Sequence, residues 1–208
     1  ASDNTSIGYA ALATNTTGNL NTAVGTFVLD ANTTGVNHTA IGYNALSTNT
    51  TGSENTGIGV YSLDANTTGQ KNVGCGGGTL SACTTGQQNT ALGFSALAGS
   101  TTASYNVAVG AFALDAAVTG TKNTAVGSFA LGANTSGDRN VVVGYDALSS
   151  NTTGTLSVAV GYEALKNSTG GLATAVGAFA ADAHTTAAYT TAIGYAALGS
   201  LTTGTANT

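Results

Sequence analysis

Proline, methionine and tryptophan are absent from the 208 residues, and only 6% of positions carry charge. A chain without proline is free to commit nearly every backbone N–H to a hydrogen-bond ladder. Four Lys and Arg against nine Asp and Glu supply no basic patch, so no nucleic-acid partner is expected. No apolar run approaches the roughly 18 residues of a spanning helix, which argues against membrane insertion, and no export leader is visible. Low charge with much Thr, Asn, Ser and Gly is a composition shared with disordered segments. The apolar 42% falls in strict register, however, and register argues for order.

What the chain has is a period. A glycine follows an apolar residue at Gly8, Gly25, Gly42, Gly59, Gly76, Gly93, Gly110, Gly127, Gly144, Gly161, Gly177 and Gly194. Every step between these anchors is 17 residues except the 16-residue step from Gly161 to Gly177. Fixed self-similarity of this kind marks a solenoid, in which no unit buries its apolar face alone. The period is too short for helix-pair repeats, which need about 33 residues. The expected fold is therefore all-β: a parallel β-solenoid of about twelve 17-residue coils, one domain over 1–208, uncapped at both ends.

Within a coil, Thr22-Ala23-Val24-Gly25 reads as a short strand with one branched face and one nearly bare face. Asn32-Thr33-Thr34-Gly35 reads as a turn, because Asn bonds its own backbone and Gly accepts positive φ. Tyr43-Asn44-Ala45-Leu46 reads as a second short strand or a tight turn. Two apolar columns are expected to make the core: Leu12, Leu29, Leu46 and Leu63 with Val24, Ile41, Ile58, Val109 and Val126. The aromatics, one per coil in eleven coils, are expected to pack with them. The bare column of Ala23, Ala40, Ala91, Ala108, Ala125 and Ala159 is then the expected face for close approach of a second rod. A column of Asn four residues before the anchors, Asn21, Asn55, Asn72 and onward, is expected to form an amide ladder.

The unit Asn4-Thr5-Ser6-Ile7-Gly8 and its variant His38-Thr39-Ala40-Ile41-Gly42 resemble the head repeats of YadA-type trimeric autotransporter adhesins. The longer unit, running on through Tyr, Ala, Leu and Asn-Thr-Thr-Gly, is similar to repeats of phage tail fibres and tail-fibre-like bacterial surface proteins. The resemblance covers essentially the whole chain. It implies left-handed parallel β-rolls, homotrimers, an extracellular, cell-surface or virion location, and a role as shaft or adhesive head with a host-cell or other surface ligand. The 17-residue coil favours the tail-fibre-like group, since adhesin heads have shorter coils. Both ends stop inside a repeat, which suggests either an excerpt of a longer fibre or an end-to-end filament subunit.

No catalytic constellation is found, so no enzyme activity, cofactor or metal is expected. Glu54 and Glu163 lie in distant coils, His38 and His184 replace ladder or turn Asn, and the Gly74–Gly78 stretch lacks the Lys of a phosphate loop. Cys75 and Cys83 share the one coil without an aromatic, and a disulfide across the roll is weighed against two separate substitutions. Asn15, Asn32, Asn49, Asn66 and Asn151 match glycosylation acceptors, which turn chemistry explains without sugar. Paired Thr columns, Thr16 and Thr17, Thr33 and Thr34, and onward, raise ice binding as a rival function. Tyr105 and Tyr189 are candidate surface-binding residues, standing in the coils where Ala103 or Ala187 replaces the turn Gly.

Overall fold

Each branched segment ahead of an anchor glycine forms a strand, and nothing else in the coil does. In the computed structural model, which describes residues 1–186 and 188–208, these are β1 (Thr5–Ile7), β2 (Thr22–Val24), β3 (Thr39–Ile41), β4 (Thr56–Ile58), β5 (Val73–Cys75) and β6 (Thr90–Leu92). They continue as β7 (Val107–Val109), β8 (Thr124–Val126), β9 (Val141–Val143), β10 (Val158–Val160), β11 (Ala173–Val176) and β12 (Thr190–Ile193). All twelve join one parallel sheet in sequence order, like on like: Thr22 opposite Thr39, Ala23 opposite Ala40, Val24 opposite Ile41. The chain is a parallel β-solenoid.

The rest of the coil is turn, built on residues in the left-handed region. Three positions per coil take it, nearly all of them non-glycine: the second after the anchor (Phe27, φ 54), the one four after it, usually Leu (Leu29, φ 49), and the one before the Asn column (Asn37, φ 60). Such a conformation costs an L-residue about 1 kcal/mol or more. The backbone N–H of each donates to a neighbouring coil, Phe27 to Tyr9 O at 3.0 Å, Leu29 to Ala45 O at 3.2 Å and Asn37 to Asn19 O at 3.2 Å. Inter-coil hydrogen bonds, worth a net ~1 kcal/mol each, are thus set against the strain. The segment Tyr43–Leu46 is a turn of this kind rather than a strand.

The inside of the roll is narrower than the sequence suggests. Leu29, Leu46 and Leu63 are fully buried and Leu12 packs on the core from the first coil. The strand, however, faces the other way from expectation. Ala23, Ala40, Ala91, Ala108, Ala125 and Ala159, read above as the contact face for a second rod, are all fully buried inside the chain's own roll. Val24, Ile41, Ile58, Val109 and Val126, read as core, stand on the outer face; Ile41 is 38% exposed and Ile58 37%. The reason is space. A Cβ added at Gly57 would already lie 3.4 Å from Leu46, so the strand's inner face rests on the Leu column with room chiefly for Ala, and Val142 of β9, also fully buried, is the one bulky residue at that position.

The same limit explains a local exchange. In the fourth and fifth coils the inner strand residue is Gly57 or Gly74, and there the partner usually Ala is Ser62 or Thr79. Their hydroxyls sit 2.8 Å apart, and a Cβ on Gly74 would lie 2.6 Å from one and 2.8 Å from the other. Gly74 makes room for a buried hydroxyl pair.

Candidate functional site

Two polar ladders run inside the roll. In the first, the side-chain oxygen of one Asn accepts the backbone N–H of the next, as in Asn72 N to Asn55 Oδ1 at 2.9 Å, and its Nδ2 reaches the turn Gly carbonyl, Asn72 to Gly86 at 2.8 Å. In the second, Asn32, Asn49 and Asn66 are linked amide to amide at 2.8 Å and 2.7 Å. Both are buried, so the acceptor motifs at Asn32, Asn49, Asn66 and Asn151 have their amide nitrogens inside the roll and engaged. A buried polar column is tolerable because nearly every member is paired.

His38 substitutes in the first ladder with the same connectivity. Its Nδ1 accepts the Asn55 N–H at 3.2 Å and its Nε2 faces the Gly52 carbonyl at 2.7 Å. These partners assign a neutral ring protonated on Nε2. Burial holds its pKa below the usual histidine value, and burial does the same for His184, which lies between Ser168 and Thr190 hydroxyls. Neither ring has the company of a metal site: among the described residues no three His, Cys, Asp or Glu are grouped to hold an ion.

The cysteines are not joined. Cys75 is an outward strand residue and is exposed, whereas Cys83 takes the inner Asn position of the turn and is buried, so their side chains point to opposite sides of the wall. The disulfide considered above is absent; both thiols are free. Burial pushes the Cys83 thiol up to about 11, which leaves it inert at neutral pH.

Outside, the aromatics form a surface ladder rather than part of the core. Tyr9, Phe27, Tyr43 and Tyr61 touch in sequence, and after a gap at Gly77 and Gly78 so do Phe94, Phe112, Phe129, Tyr145, Tyr162, Phe179 and Tyr195, with centroids 5.2 to 6.3 Å apart. Their alternation between first and second place after the anchor lets successive rings meet mostly edge to face. Most remain open to solvent, Phe94 at 59% and Tyr145 at 47%.

Beside this ladder lies the outer strand face, two columns wide. One column is Thr or Val throughout, and the other Ile, Val, Leu or Cys75; no position of the twelve strands is charged. Charge is sorted elsewhere, chiefly to the turn positions of Asp30, Asp64, Asp115 and Asp182 and to those of Glu54, Lys71, Lys122 and Arg139. The paired turn Thr columns do not form a matching array. The first Thr of each pair donates its hydroxyl to the next coil, Thr33 to Thr50 O at 3.0 Å and Thr67 to Thr84 O at 3.0 Å, leaving one exposed column of second Thr.

Tyr105 and Tyr189 are both exposed, at 52% and 64%, and both occupy the left-handed place before the inner Asn column. At Ala103 its own coil and the next carry Ser100 and Ala117 in place of the Asn side chains that a Cβ at turn glycines such as Gly18 and Gly52 would meet; Ala187 lies outside the described residues. Comparison with protein-family models, with curated proteins and with solved structures finds no match to this chain.

Proposed function

We propose that this chain is a structural, non-catalytic segment of an extracellular or virion fibre, assembled by lateral contact between copies of itself. The observation that carries the reading is the uncharged outer face of β1–β12. Its unbroken column of Ile, Val, Leu and Cys75, bordered by Thr and Val and by the aromatic ladder, is a longer exposed apolar line than monomeric proteins commonly leave open to water. Twelve strands at about 4.8 Å make the strip roughly 53 Å long, and at a width near 12 Å it offers on the order of 600 Å², close to the ~800 Å² per partner of a standard interface.

Another copy is the natural occupant. Only a surface with the same coil repeat can keep its side chains in step along the whole length, as in a dry β-sheet interface. The segregation of acids and bases to the turns removes like-charge repulsion from such a contact. Three copies around one axis is the arrangement that the adhesin and tail-fibre resemblance implies. An ice-binding role draws less support, since half of the turn hydroxyls it would use are engaged between coils.

Cryo-electron microscopy of the purified protein tests the reading. A discrete multimer with the strand faces turned inward supports it. Isolated single rods at micromolar concentration overturn it.

A further inference from the structure

Three of the chain's four cationic residues fall in one column, which the linear sequence hides. In successive coils the place before the inner Asn column is Lys71, Gln88, Tyr105, Lys122 and Arg139. All five are exposed and share one backbone conformation, φ 59, 56, 64, 60 and 58. Each donates its N–H to the coil before it, Lys71 to Ser53 O, Gln88 to Gln70 O, Tyr105 to Gln87 O, Lys122 to Ser104 O and Arg139 to Thr121 O, at 3.0 to 3.2 Å. Identical backbone in stacked coils makes the five side chains leave the rod as one row, about 4.8 Å apart and about 19 Å from end to end.

The row is unspent. The fourth cation, Lys166, is held by Asp146 at 2.8 Å and Glu163 at 3.2 Å, whereas among the described residues Lys71, Lys122 and Arg139 enter no ion pair. Two acids stand near. Glu54 is one coil before Lys71 in the same column, and Asp138 adjoins Arg139 with its Oδ1 turned to Thr121 N at 2.6 Å and Thr121 Oγ1 at 3.0 Å. They confine the positive character to the stretch from Tyr105 to Arg139 and keep a single site weak.

We propose that this ridge is a binding site for a linear anionic polysaccharide, with Lys122 and Arg139 on its sulfate or carboxylate groups and Tyr105 against the apolar face of a sugar ring. Arg supplies a planar fork for such an oxyanion, and Lys a mobile point charge. The single aromatic argues for a sugar chain over single-stranded nucleic acid, whose binding surfaces stack several bases in series. The ridge lies off the outer strand face, so the inference goes beyond the fibre reading and does not require it. Repetition of the ridge on associated copies would multiply a weak contact.

The test is equilibrium binding of labelled dextran sulfate and of polygalacturonate to the intact chain, with neutral dextran and oligothymidylate as comparators. Oligomeric mass is recorded in parallel, so that loss of assembly is read separately. Both acidic glycans should bind, more tightly at low salt, and neutral dextran should not. The variant Lys122→Gln/Arg139→Gln should bind at least about fivefold more weakly, and Tyr105→Gln roughly threefold more weakly. Glutamine already occupies this column at Gln88, so these variants should fold, which circular dichroism checks. Absence of glycan binding, equal binding of neutral dextran, variants that bind as the parent does, or oligothymidylate binding as tightly as the glycans would each overturn the proposal.

Discussion

Gly110 stands at φ 131, a conformation closed to L-residues, and a Cβ there would lie 2.6 Å from the Gly127 carbonyl carbon. Gly110→Ala should therefore lower stability by about 3 kcal/mol or more, visible as a large drop in denaturant midpoint. The buried titratable groups act in opposite directions. His38 has its folded pKa depressed below 6.5, so the stability it permits is complete above about pH 6.5 and is lost as pH falls through the folded value. His38→Asn keeps the ladder pattern without the proton, and should flatten the decline in melting temperature between neutral pH and about pH 5. Asp64 has its pKa raised by burial, and its buried Oδ1 has no partner, so its carboxylate opposes folding at neutral pH. Stability linked to it is complete below 3.8 and is lost as pH rises through the folded value. Asp64→Asn should raise the melting temperature at pH 7 and leave it unchanged near pH 3, the reverse of the histidine effect.

At the scale of the coil, the 16-residue unit shows which position is dispensable. Thr169 keeps the first-Thr place, bonding Thr185 O by N–H at 2.7 Å and by Oγ1 at 3.1 Å, and the following exposed Thr is the one missing. Deleting one Thr from Asn66-Thr67-Thr68-Gly69 should accordingly cost no more than about 1 kcal/mol, measured by urea unfolding. Leu97→Ala, which truncates a fully buried core side chain, should cost about 2 to 5 kcal/mol in the same assay. Such positional roles were partly legible in the sequence. The period gave the coil, the strand segments and the Asn columns, because stacking forces identical positions into contact. The direction of the strand was not legible, since alternation separates two faces without saying which is inside. Bulk favoured Val and Ile for the interior, whereas the inner strand position against the Leu column is Ala or Gly in all but the first coil and β9, where Val142 is buried, and the Gly74 exchange shows how little space is spare. The cation row was equally hidden, because Lys71, Lys122 and Arg139 are neighbours only when the chain is read by column.

The whole molecule is a rod that sorts chemistry by face: small apolar groups and amides within, an uncharged branched face and aromatic ladder on one flank, charges on the turns. On the proposed fibre reading, assembly and folding depend on different sides of the same strand. Ala125→Arg places a charge inside the roll and should unfold the chain rather than block association. Cys75, midway along an exposed face between Ile58 and Leu92, should cross-link neighbouring copies when a thiol oxidant is added, while buried Cys83 stays reduced until denaturation. The most direct measurement is the solution mass, by light scattering, of the parent chain beside Val109→Lys/Val126→Lys, with circular dichroism to confirm that both are folded. The account predicts a discrete multimer for the parent and a folded monomer for the variant; a monomeric parent, or a variant that assembles as the parent does, would contradict it.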